Sequence, residues 1–541
     1  MVVDVAGPFV TKKASAMMPS PHNEHRTRLI EVCRELQQGQ RLIVAGNRGP
    51  IEYALSPEGE LVPRRGHGGL VTGFGAVSQF CKITWVASAM GEADRRAAQG
   101  AEDGLVSSPL PGQNIAVRFV ICPRNTYHKY YNVFSNPLLW FLQHQMWNSP
   151  YTPNIDANTY DAWQNGYVAV NRAFAEAIVA EMQREGSSRT ALLQDYQLYL
   201  VGKMVRDSVP DARLLHFVHI PWPSTSSWRL LPEAMRRTIV AGLCANDIVG
   251  FQTRRSAVNF LHAAEAFLPG AVVDAQSMTV YYEGRAAYVR VYPASVDVAG
   301  LRRSATSARV REYQEKLQPL CSEQTIVRVD RIDPSRNILR GFRAYELALD
   351  RYPELRGKVK FLAFLTPSRT RVREYQRYTD ELTALVGTIN GKYGGEGWQP
   401  VELFLENNYL QALAALRIYD VLLVNAVVDG MNLVAKEGPV VNTRNGVLVL
   451  SEGTGAYEQL REGALAVTPT DIEGTAEALY RALRMSAEER EQRAALLRSL
   501  IEDDDITVWL YRQFADLQAL TGVDSRIAPP IATQPLPLQL E

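Results

Sequence analysis

The sequence predicts an α/β protein made of two doubly wound halves that face each other across an interdomain cleft. Short apolar strands alternate with longer helical stretches, which is the pattern of a parallel sheet covered by helices on both faces. The alternation closes near Asp297 and restarts near Gln324. The chain of 541 residues is also too long for one ordinary core. Because open α/β sheets bind ligands at the carboxyl ends of their strands, we expect both crevices to open into one cleft.

The composition is typical of a soluble globular protein, with 46% hydrophobic and 21% charged residues. Lys plus Arg and Asp plus Glu both number 58, so no net field favours nucleic acid or a membrane surface as a partner. No apolar run reaches the roughly 18 residues of a membrane span. Five scattered cysteines without a CxxC pair predict reduced thiols in a cytoplasmic protein and no structural zinc site.

Five segments are predicted along the chain. Residues 26–297 and 298–500 form the two doubly wound domains, and residues 501–521 form a C-terminal helix that packs back on the N-terminal half. Residues 1–25 are expected to be a flexible extension, because acid and proline interrupt their short apolar patch. Residues 522–541 are expected to be a flexible tail, because four prolines fall in the last 18 residues.

The first half begins with a strand in RLIVAGNRGP, followed by a hairpin in IEYALSPEGELVPRR and the glycine loop GHGGLVTGFGAV. Its further strands are ITWVAS, IAVRFVIC, ARLLHFVHI and DIVGFQT, and WQNGYVAVNRAFAEAIVAEMQREG is helical. A strand pair, MTVYYEG and AAYVRVYPASVD, closes this half.

The second half contains the strands QTIVRVD, KVKFLAFL, VELFLE, DVLLVN and GVLVLSE, again separated by helices. Apolar residues recur at helical spacing in NILRGFRAYELALDRYPEL, which predicts a helix with one face against a sheet. Ser486 and Glu489 form a capping box before the next helical stretch, and Trp509 lies in the C-terminal helix.

Two carboxylates frame the loop that follows the apolar strand DVLLVN, namely Asp429 and Glu437. If Met431 starts the following helix, both acids lie near one edge of its N-terminal end. Carboxylates accept hydrogen bonds from sugar hydroxyls, and the free N–H groups of a helix start donate to phosphate, so the stretch suits a phosphorylated sugar ligand. A capped helix with solvated acids is the alternative, and this stretch alone does not decide between them.

Two arginines follow the first strand of the second half, in VDRIDPSRN. Arg331 and Arg336 on this loop can clamp a diphosphate, each charge-assisted bond contributing about 1.5 to 3 kcal/mol. The alternative, which spacing slightly favours, is ion pairing with Asp330 and Asp333.

The glycine loop and the histidines do not predict a nicotinamide or metal site. A hairpin separates the glycines from the first strand, and no strand-end acid follows about twenty residues on, unlike a dinucleotide-binding loop. His216 and His219 lie three apart in the strand LLHFVHI, so they point to opposite faces and cannot share an ion. We therefore predict no cofactor and no metal.

Many separate stretches, in order, carry a family resemblance: AGNRGP, GHGGLVTG, YYNVFSNPLLW, QDYQLYLV, HIPWPS, DIVGFQT, VDRIDPSRN, PSRTRVREYQ, INGKYG, DGMNLVAKE and LVLSEGTGA. From about Arg41 to Phe514 the chain resembles the trehalose-6-phosphate synthase family of retaining glycosyltransferases, which have a two-Rossmann GT-B fold. Its local sequence is most similar to that of an actinobacterial-type branch and of the related pseudo-glycosyltransferases that join cyclitols.

The resemblance implies a donor site in the C-terminal, nucleotide-sugar-binding domain. Arg331 and Arg336 would clamp the donor diphosphate, Asp429 would accept from the glucose hydroxyls, and Glu437 would hold the ribose. Gly69 would let the glycine loop reach the donor phosphate. The backbone that meets sugar and phosphate would be that of Gly430, Met431, Asn432, Leu433 and Val434.

The resemblance also implies an acceptor site in the N-terminal domain. His219 would stand beside the transferred sugar, and Asp195 would bind the acceptor's hydroxyls. The acceptor's phosphate and ring would be held by Arg48, Tyr131, Trp140 and Arg369. From composition alone, the aromatic stretch around Trp140 is more typical of a core.

The implied reaction moves glucose with retention from UDP-, GDP- or ADP-glucose to glucose 6-phosphate, giving α,α-trehalose 6-phosphate. The leaving diphosphate would help to deprotonate the incoming hydroxyl on the same face, without a metal. Two alternatives stay open, namely transfer to another polyol or cyclitol phosphate, as in glucosylglycerol-phosphate synthases and pseudo-glycosyltransferases, and a non-catalytic sugar-phosphate sensor. The partners are then a nucleotide sugar and a sugar phosphate, and a homo-oligomer stays open.

The sequence departs from the family pattern at three places. Arg336 stands where the family usually has Lys, which keeps the charge but makes it a planar fork. Ala87 and Ser88 stand where a Gly-Trp pair is usual, so we expect a roomier, more polar acceptor pocket. Gln194 stands where His is usual.

Overall fold

A computed structural model describes residues 21–37, 40–66, 69–108, 112–147, 150–184, 186–370, 372–395 and 397–520. The N-terminal half contains these strands: β1 (Arg41–Ala45), β2 (Ile51–Leu55), β3 (Leu61–Arg65), β4 (Ile83–Ser88), β5 (Leu105–Ser107), β6 (Ile115–Val120), β7 (Ser187–Gln194), β8 (Arg213–Val218), β9 (Ile248–Phe251), β10 (Val272–Asp274), β11 (Thr279–Tyr282) and β12 (Arg285–Val291). The C-terminal half contains β13 (Gln324–Arg331), β14 (Val359–Thr366), β15 (Val401–Phe404), β16 (Val421–Val424), β17 (Val447–Ser451) and β18 (Leu465–Val467).

The helices of the described residues alternate with these strands. In the N-terminal half they are α1 (Pro21–Gln37), α2 (Gly69–Val77), α3 (Glu92–Gln99), α4 (Arg124–His128), α5 (Phe141–Gln143), α6 (Ala157–Ala162), α7 (Ala169–Met182), α8 (Val201–Ser208), α9 (Thr225–Trp228), α10 (Glu233–Cys244) and α11 (Arg254–Phe267). They continue with α12 (Val298–Ala305), α13 (Ala308–Leu317), α14 (Ile338–Arg351), α15 (Arg373–Tyr393), α16 (Tyr409–Ile418), α17 (Val434–Val441), α18 (Tyr457–Leu460), α19 (Ile472–Arg484), α20 (Ala487–Asp503) and α21 (Ile506–Ala519). Within the described ranges, none of these helices has the length and apolarity to cross a membrane.

The N-terminal sheet has ten strands in the order β10-β11-β12-β9-β8-β7-β1-β4-β6-β5. The strands from β12 to β6 run parallel, whereas β5 at one edge and β10 and β11 at the other pair antiparallel with their neighbours. From β1 the chain adds β4 and β6 on one side and then β7, β8 and β9 on the other. The order of the strands therefore reverses between β1 and β7, which is where doubly wound sheets bind ligands.

The C-terminal sheet has six parallel strands in the order β15-β14-β13-β16-β17-β18. Numbered from its own first strand, this is the order 3-2-1-4-5-6 of nucleotide-binding folds. Its strand order reverses between β13 and β16. The two doubly wound halves predicted from the sequence are thus confirmed.

The C-terminal helix α21 packs on the N-terminal core although it follows the second sheet in the chain. The Trp509 ring lies 5.4 Å from that of Phe217 and 6.5 Å from that of Phe74. The Tyr292 hydroxyl donates to Asp516 Oδ2 at 2.5 Å. The exact domain boundaries stay a prediction.

The structure also corrects the expected elements. Strand β7 was not predicted, although it is central, because SSRTALLQ starts with polar residues. Helix α1 begins at Pro21, inside the segment expected to be a flexible extension. Residues 1–20 and 521–541, which include most of both expected tails, lie outside the described residues.

Candidate active site

The loops at both reversals of strand order carry the charged residues predicted from the sequence. Arg48 follows β1 and Asp195 follows β7 in the first sheet, whereas Arg331 ends β13 and Asp429 follows β16 in the second. The two halves touch at this level, since a Cβ atom added to Gly430 would lie 2.0 Å from the His219 carbonyl oxygen. Only glycine therefore allows the loop after β16 to approach the N-terminal half so closely.

Arg336 is mostly buried and pairs with two carboxylates. Its Nη1 contacts Asp429 Oδ2, its Nε lies 3.8 Å from Asp330 Oδ1, and its side chain is 14% exposed. Asp330 also pairs with the fully buried Arg328 at 2.9 Å. Burial lowers the pKa of Arg336, against the raising effect of Asp330. The ion pairing with Asp330, which the sequence offered as the alternative to a diphosphate clamp, is therefore present. It holds the Arg336 guanidinium in place.

The indole ring of Trp140 makes cation–π contacts with two arginines from the C-terminal half. The Arg331 guanidinium carbon lies 5.5 Å from the ring centroid, and that of Arg369 lies 4.0 Å from it. Such cation–π contacts contribute about 0.5 to 2 kcal/mol each. Trp140 ends a π-helical segment, Lys129–Trp140, and its buried Nε1 has no hydrogen-bond partner among the described residues.

Arg369 is anchored by a buried cluster that the sequence did not reveal. Its Nη1 donates to Asp333 Oδ2 at 2.9 Å and contacts the Tyr375 hydroxyl, which itself donates to Asp333 at 2.8 Å. Its Nη2 lies 3.5 Å from the Tyr196 hydroxyl of the other half. Although burial opposes it, the positive charge of Arg369 and its neighbours lowers the pKa of Asp333 to about 2. The sequence suggested that Asp333 pairs with Arg331 or Arg336 on its own loop. In the structure its ion-pair partner is Arg369.

The loop after β16 differs from the expected helix start. Helix α17 begins at Val434, three residues after Met431, and Asn432 has a left-handed backbone with φ 72°. The Asp429 backbone is bonded on both sides to the next loop, its N–H donating to Gly453 at 2.9 Å. Burial raises the pKa of Glu437 to about 7, and its carboxylate makes no hydrogen bond or ion pair with the described residues.

Asp195 has a strained backbone, with φ 74° and ψ 173°. This region is essentially restricted to glycine and costs on the order of 1 to 3 kcal/mol, so neighbouring contacts must hold the residue there. Its N–H donates to the Phe217 carbonyl at 2.8 Å, and its Oδ1 accepts from the His219 N–H at 3.3 Å. Burial raises the pKa of Asp195 to about 7.

Arg48 and Tyr131 lie on the N-terminal side of the cleft. The Arg48 side chain is 60% exposed and lies 3.6 Å from Glu52. Burial lowers the pKa of Arg48, but the Tyr131 phenol and Glu52 raise it more, so the net shift is upward. The Tyr131 ring is stacked on Tyr127 with centroids 5.6 Å apart.

Ser88 does not form the polar pocket wall that we expected. It is 3% exposed at the end of β4, and its hydroxyl donates to Asn47 Oδ1 at 3.1 Å. The same oxygen accepts from the Tyr130 hydroxyl at 3.2 Å, and the Tyr127 hydroxyl lies 3.2 Å from Asn47 Nδ2. Ser88 thus belongs to a buried polar cluster beneath the loop of Arg48.

His144 lies beside the candidate site residue Trp140 and was missed by sequence reasoning. It is fully buried, stacks on Trp140 with centroids 3.9 Å apart, and its Nδ1 lies 2.8 Å from the Trp140 carbonyl. Burial lowers its pKa to about 3. Its position four residues after Trp140 in a helix was the available signal.

Gly69 begins helix α2, and its neighbours His67 and Gly68 lie outside the described residues. Among the residues with described positions, no three His, Cys, Asp or Glu side chains are grouped so that they could hold a metal ion.

Two facing doubly wound sheets, with charged loops gathered where each strand order reverses, form the architecture of the GT-B class, in which glycosyltransferases are found. Comparison with known proteins agrees with this class. The chain belongs to glycosyltransferase family 20, whose sequence profile matches residues 40–519. The resemblance, the fold class and the enzyme class predicted from the sequence are thereby confirmed.

Three similar proteins illustrate the relationship. The α,α-trehalose-phosphate synthase [UDP-forming] A of Dictyostelium discoideum is 31% identical over 476 residues, or 87% of this chain, and the matched part spans 61% of that protein's length. The validamine 7-phosphate valienyltransferase of Streptomyces hygroscopicus is 30% identical over 92% of this chain and 99% of its own. The crystal structure of a UDP-forming α,α-trehalose-phosphate synthase from Burkholderia xenovorans, in complex with glucose-6-phosphate, has a TM-score of 0.74 and 28% identity, covering 88% of this chain and 100% of that one.

Proposed function

We propose that this chain transfers glucose, with retention, from a nucleotide-glucose to glucose 6-phosphate, and so forms α,α-trehalose 6-phosphate and a nucleoside diphosphate. This proposal rests on one observation, namely that two arginine side chains contact the same indole ring. Arg331, the predicted donor clamp, and Arg369, the predicted acceptor anchor, both lie over Trp140. An acceptor whose phosphate is bound by Arg369 would lie beside a leaving diphosphate bound by Arg331, so its hydroxyl can approach the anomeric carbon from the side of the leaving group.

On the donor side, Arg331 and Arg336 hold the diphosphate and Asp429 accepts from the hexose hydroxyls. Because Arg336 and Asp429 contact each other, their ion pair has to open when phosphate and hexose bind them separately. Glu437, whose carboxylate has no partner among the described residues, accepts from the ribose. The backbone from Gly430 to Val434 and the start of α2 at Gly69 meet the sugar and phosphate groups.

On the acceptor side, Arg48 and Arg369 hold the phosphate of glucose 6-phosphate, and Tyr131 and Trp140 contact its ring. Asp195 binds the acceptor's hydroxyls beside His219. The arginines stabilise the negative charge that develops on the leaving diphosphate, and one of its oxygens takes the proton of the attacking hydroxyl. Residues 26–297 then form the acceptor domain, and residues 298–500 form the nucleotide-sugar domain.

The nucleotide of the donor is proposed to be UDP, because two of the similar proteins are named as UDP-forming. The second candidate function is transfer to a cyclitol or other polyol phosphate. Similarity to a valienyltransferase over 99% of that protein's length, together with Gln194 in place of the usual His, supports this second candidate. The complete set of clamp residues argues against a sensor without catalysis.

The test is a screen of the purified chain against UDP-, GDP- and ADP-glucose with glucose 6-phosphate, read as released nucleoside diphosphate. We expect release only when both substrates are present, and a product with both anomeric protons in the α configuration by NMR. An Arg331→Ala protein supplies the blank. Absence of acceptor-dependent release with all three donors, or a β-linked product, would contradict the proposal.

A further inference from the structure

Gln194 and His219 form a hydrogen-bonded pair at the carboxyl ends of two neighbouring strands. Gln194 is the last residue of β7 and only 1% exposed, and His219 directly follows β8. Gln194 Oε1 lies 2.8 Å from His219 Nε2. The Gln194 amide nitrogen is buried without a hydrogen-bond partner among the described residues.

This contact determines which nitrogen of His219 carries a hydrogen. An amide oxygen can only accept, so a hydrogen bond between His219 Nε2 and Gln194 Oε1 requires the hydrogen to be on Nε2. A neutral imidazole has a single N–H, which leaves Nδ1 with a lone pair that accepts hydrogen bonds. Burial and the neighbouring His216 lower the pKa of His219 to about 3, in keeping with a neutral ring.

The surroundings of His219 leave the ring few other polar contacts. The ring packs edge-on against Phe217 at 4.6 Å and lies 6.3 Å from Trp509 of α21. The titratable groups nearby come from three elements. His216 is on β8, and Asp195 follows β7 and accepts a hydrogen bond from the His219 backbone N–H. Asp429 is on the loop after β16, whose Gly430 lies against the His219 carbonyl. The imidazole is thus adjacent to the loop proposed to hold the hexose.

We infer that Gln194 is a positioning residue that keeps His219 neutral and in its Nε2–H form, so that Nδ1 can accept a hydroxyl hydrogen of the transferred hexose. The role of Nδ1 toward the hexose rests on the proposed function, whereas the hydrogen position does not. An imidazolium at the same place would present a second donor and a positive charge instead of this acceptor.

The first measurement is the hydrogen position itself. Long-range 1H–15N NMR of the full chain with labelled histidine distinguishes the Nε2–H, Nδ1–H and imidazolium forms, and the His219 signal among the eight histidines is assigned by its loss in His219→Gln. We expect the Nε2–H form in the wild type and a mixture of both neutral forms in Gln194→Met. A wild-type Nδ1–H form, or identical signals in both proteins, would overturn the inference.

The second measurement is the pH dependence of kcat/KM for the nucleotide sugar between pH 5 and 9. Gln194→Met should lower kcat/KM about five- to tenfold at all these pH values, the size of one hydrogen bond. In Gln194→Glu a carboxylate beside Nε2 raises the pKa of His219, so imidazolium forms as the pH falls and activity is lost on the acid side. The wild type should show no such additional loss.

Gln513→Met is the matched control, because Gln513 is also a buried glutamine, on the helix α21 that packs against the N-terminal core, but donates to the Trp509 carbonyl at 3.1 Å. It should keep the wild-type profile. An unchanged profile in Gln194→Glu would overturn the inference even if Gln194→Met failed to fold. If no protein transferred glucose, the proposed function would fail, and the NMR result alone would decide the role of Gln194.

Discussion

The two sides of the cleft hold their cations in different ways. On the C-terminal side, Arg336 is buried between Asp330 and Asp429, and Asp330 is itself tied to Arg328. On the N-terminal side, Arg48 is exposed and has Glu52 as its ion-pair partner at 3.6 Å. Exposed pairs of this kind contribute about 0 to 1 kcal/mol, whereas breaking a buried pair costs about 3 to 5 kcal/mol.

This difference indicates that the donor cation Arg336 is positioned before the substrate arrives, whereas Arg48 is ordered by the acceptor. A pre-positioned cation loses little freedom on binding, so more of its interaction energy stabilises the transition state. The predictions below test this contrast between the two sides, in order of decreasing effect.

The largest effect is expected from removing the acceptor phosphate. Two guanidiniums, Arg48 and Arg369, each contributing about 1.5 to 3 kcal/mol, would together be worth on the order of 10²- to 10⁴-fold in rate. Initial rates with glucose 6-phosphate, glucose, glycerol 3-phosphate and a cyclitol phosphate under one donor measure this. We expect glucose 6-phosphate to be fastest and glucose to be inert. Transfer to free glucose would refute the two-arginine anchor, and a faster cyclitol or glycerol phosphate would favour the second candidate function.

Removing a donor cation should have the next largest effect. Arg331→Ala should lower turnover about 10²- to 10³-fold, as is usual for one group that stabilises developing charge. Turnover at saturating donor and acceptor is the measurement. Arg343→Ala, an exposed arginine on helix α14, is the control and should behave as the wild type. Near-normal turnover of Arg331→Ala would remove it from the clamp.

A smaller and more selective effect is expected at Asp429. Asp429→Asn should weaken binding of the nucleotide sugar about tenfold, the size of one hydrogen bond to a charged group. Free nucleoside diphosphate should bind no more weakly, because the substitution also releases Arg336 from its ion pair. Calorimetry with both ligands separates the two. Equal losses for both ligands would place Asp429 away from the hexose.

No effect is expected from metal removal. The proposed reaction stabilises the leaving diphosphate with arginines, so EDTA should leave the rate unchanged. The rate is measured after dialysis against EDTA and again after addition of Mg²⁺ or Mn²⁺. Loss of activity that a divalent ion restores would show that the arginines do not suffice.

The sequence alone predicted those parts of the site that directly follow a strand with a clear apolar pattern. Apolar strands such as DVLLVN predicted β16, and its charged exit predicted Asp429 as a site residue, because a strand buried on both faces must be apolar while its carboxyl end is exposed to ligand. Strand β7 escaped prediction because the burial of SSRTALLQ comes from its place between β1 and β8, not from its composition.

The sequence by itself determined the two doubly wound halves, the strand-end position of Arg331 and Asp429, and the family, since these depend on local apolar periodicity and on short motifs. Only the tertiary structure decided which charges meet. Asp333 pairs with Arg369, which lies 36 residues further along the chain, and Ser88 faces Asn47 instead of the cleft. Such pairings depend on how loops from different strands converge at a sheet edge, and burial then makes each unpaired charge too costly to leave alone.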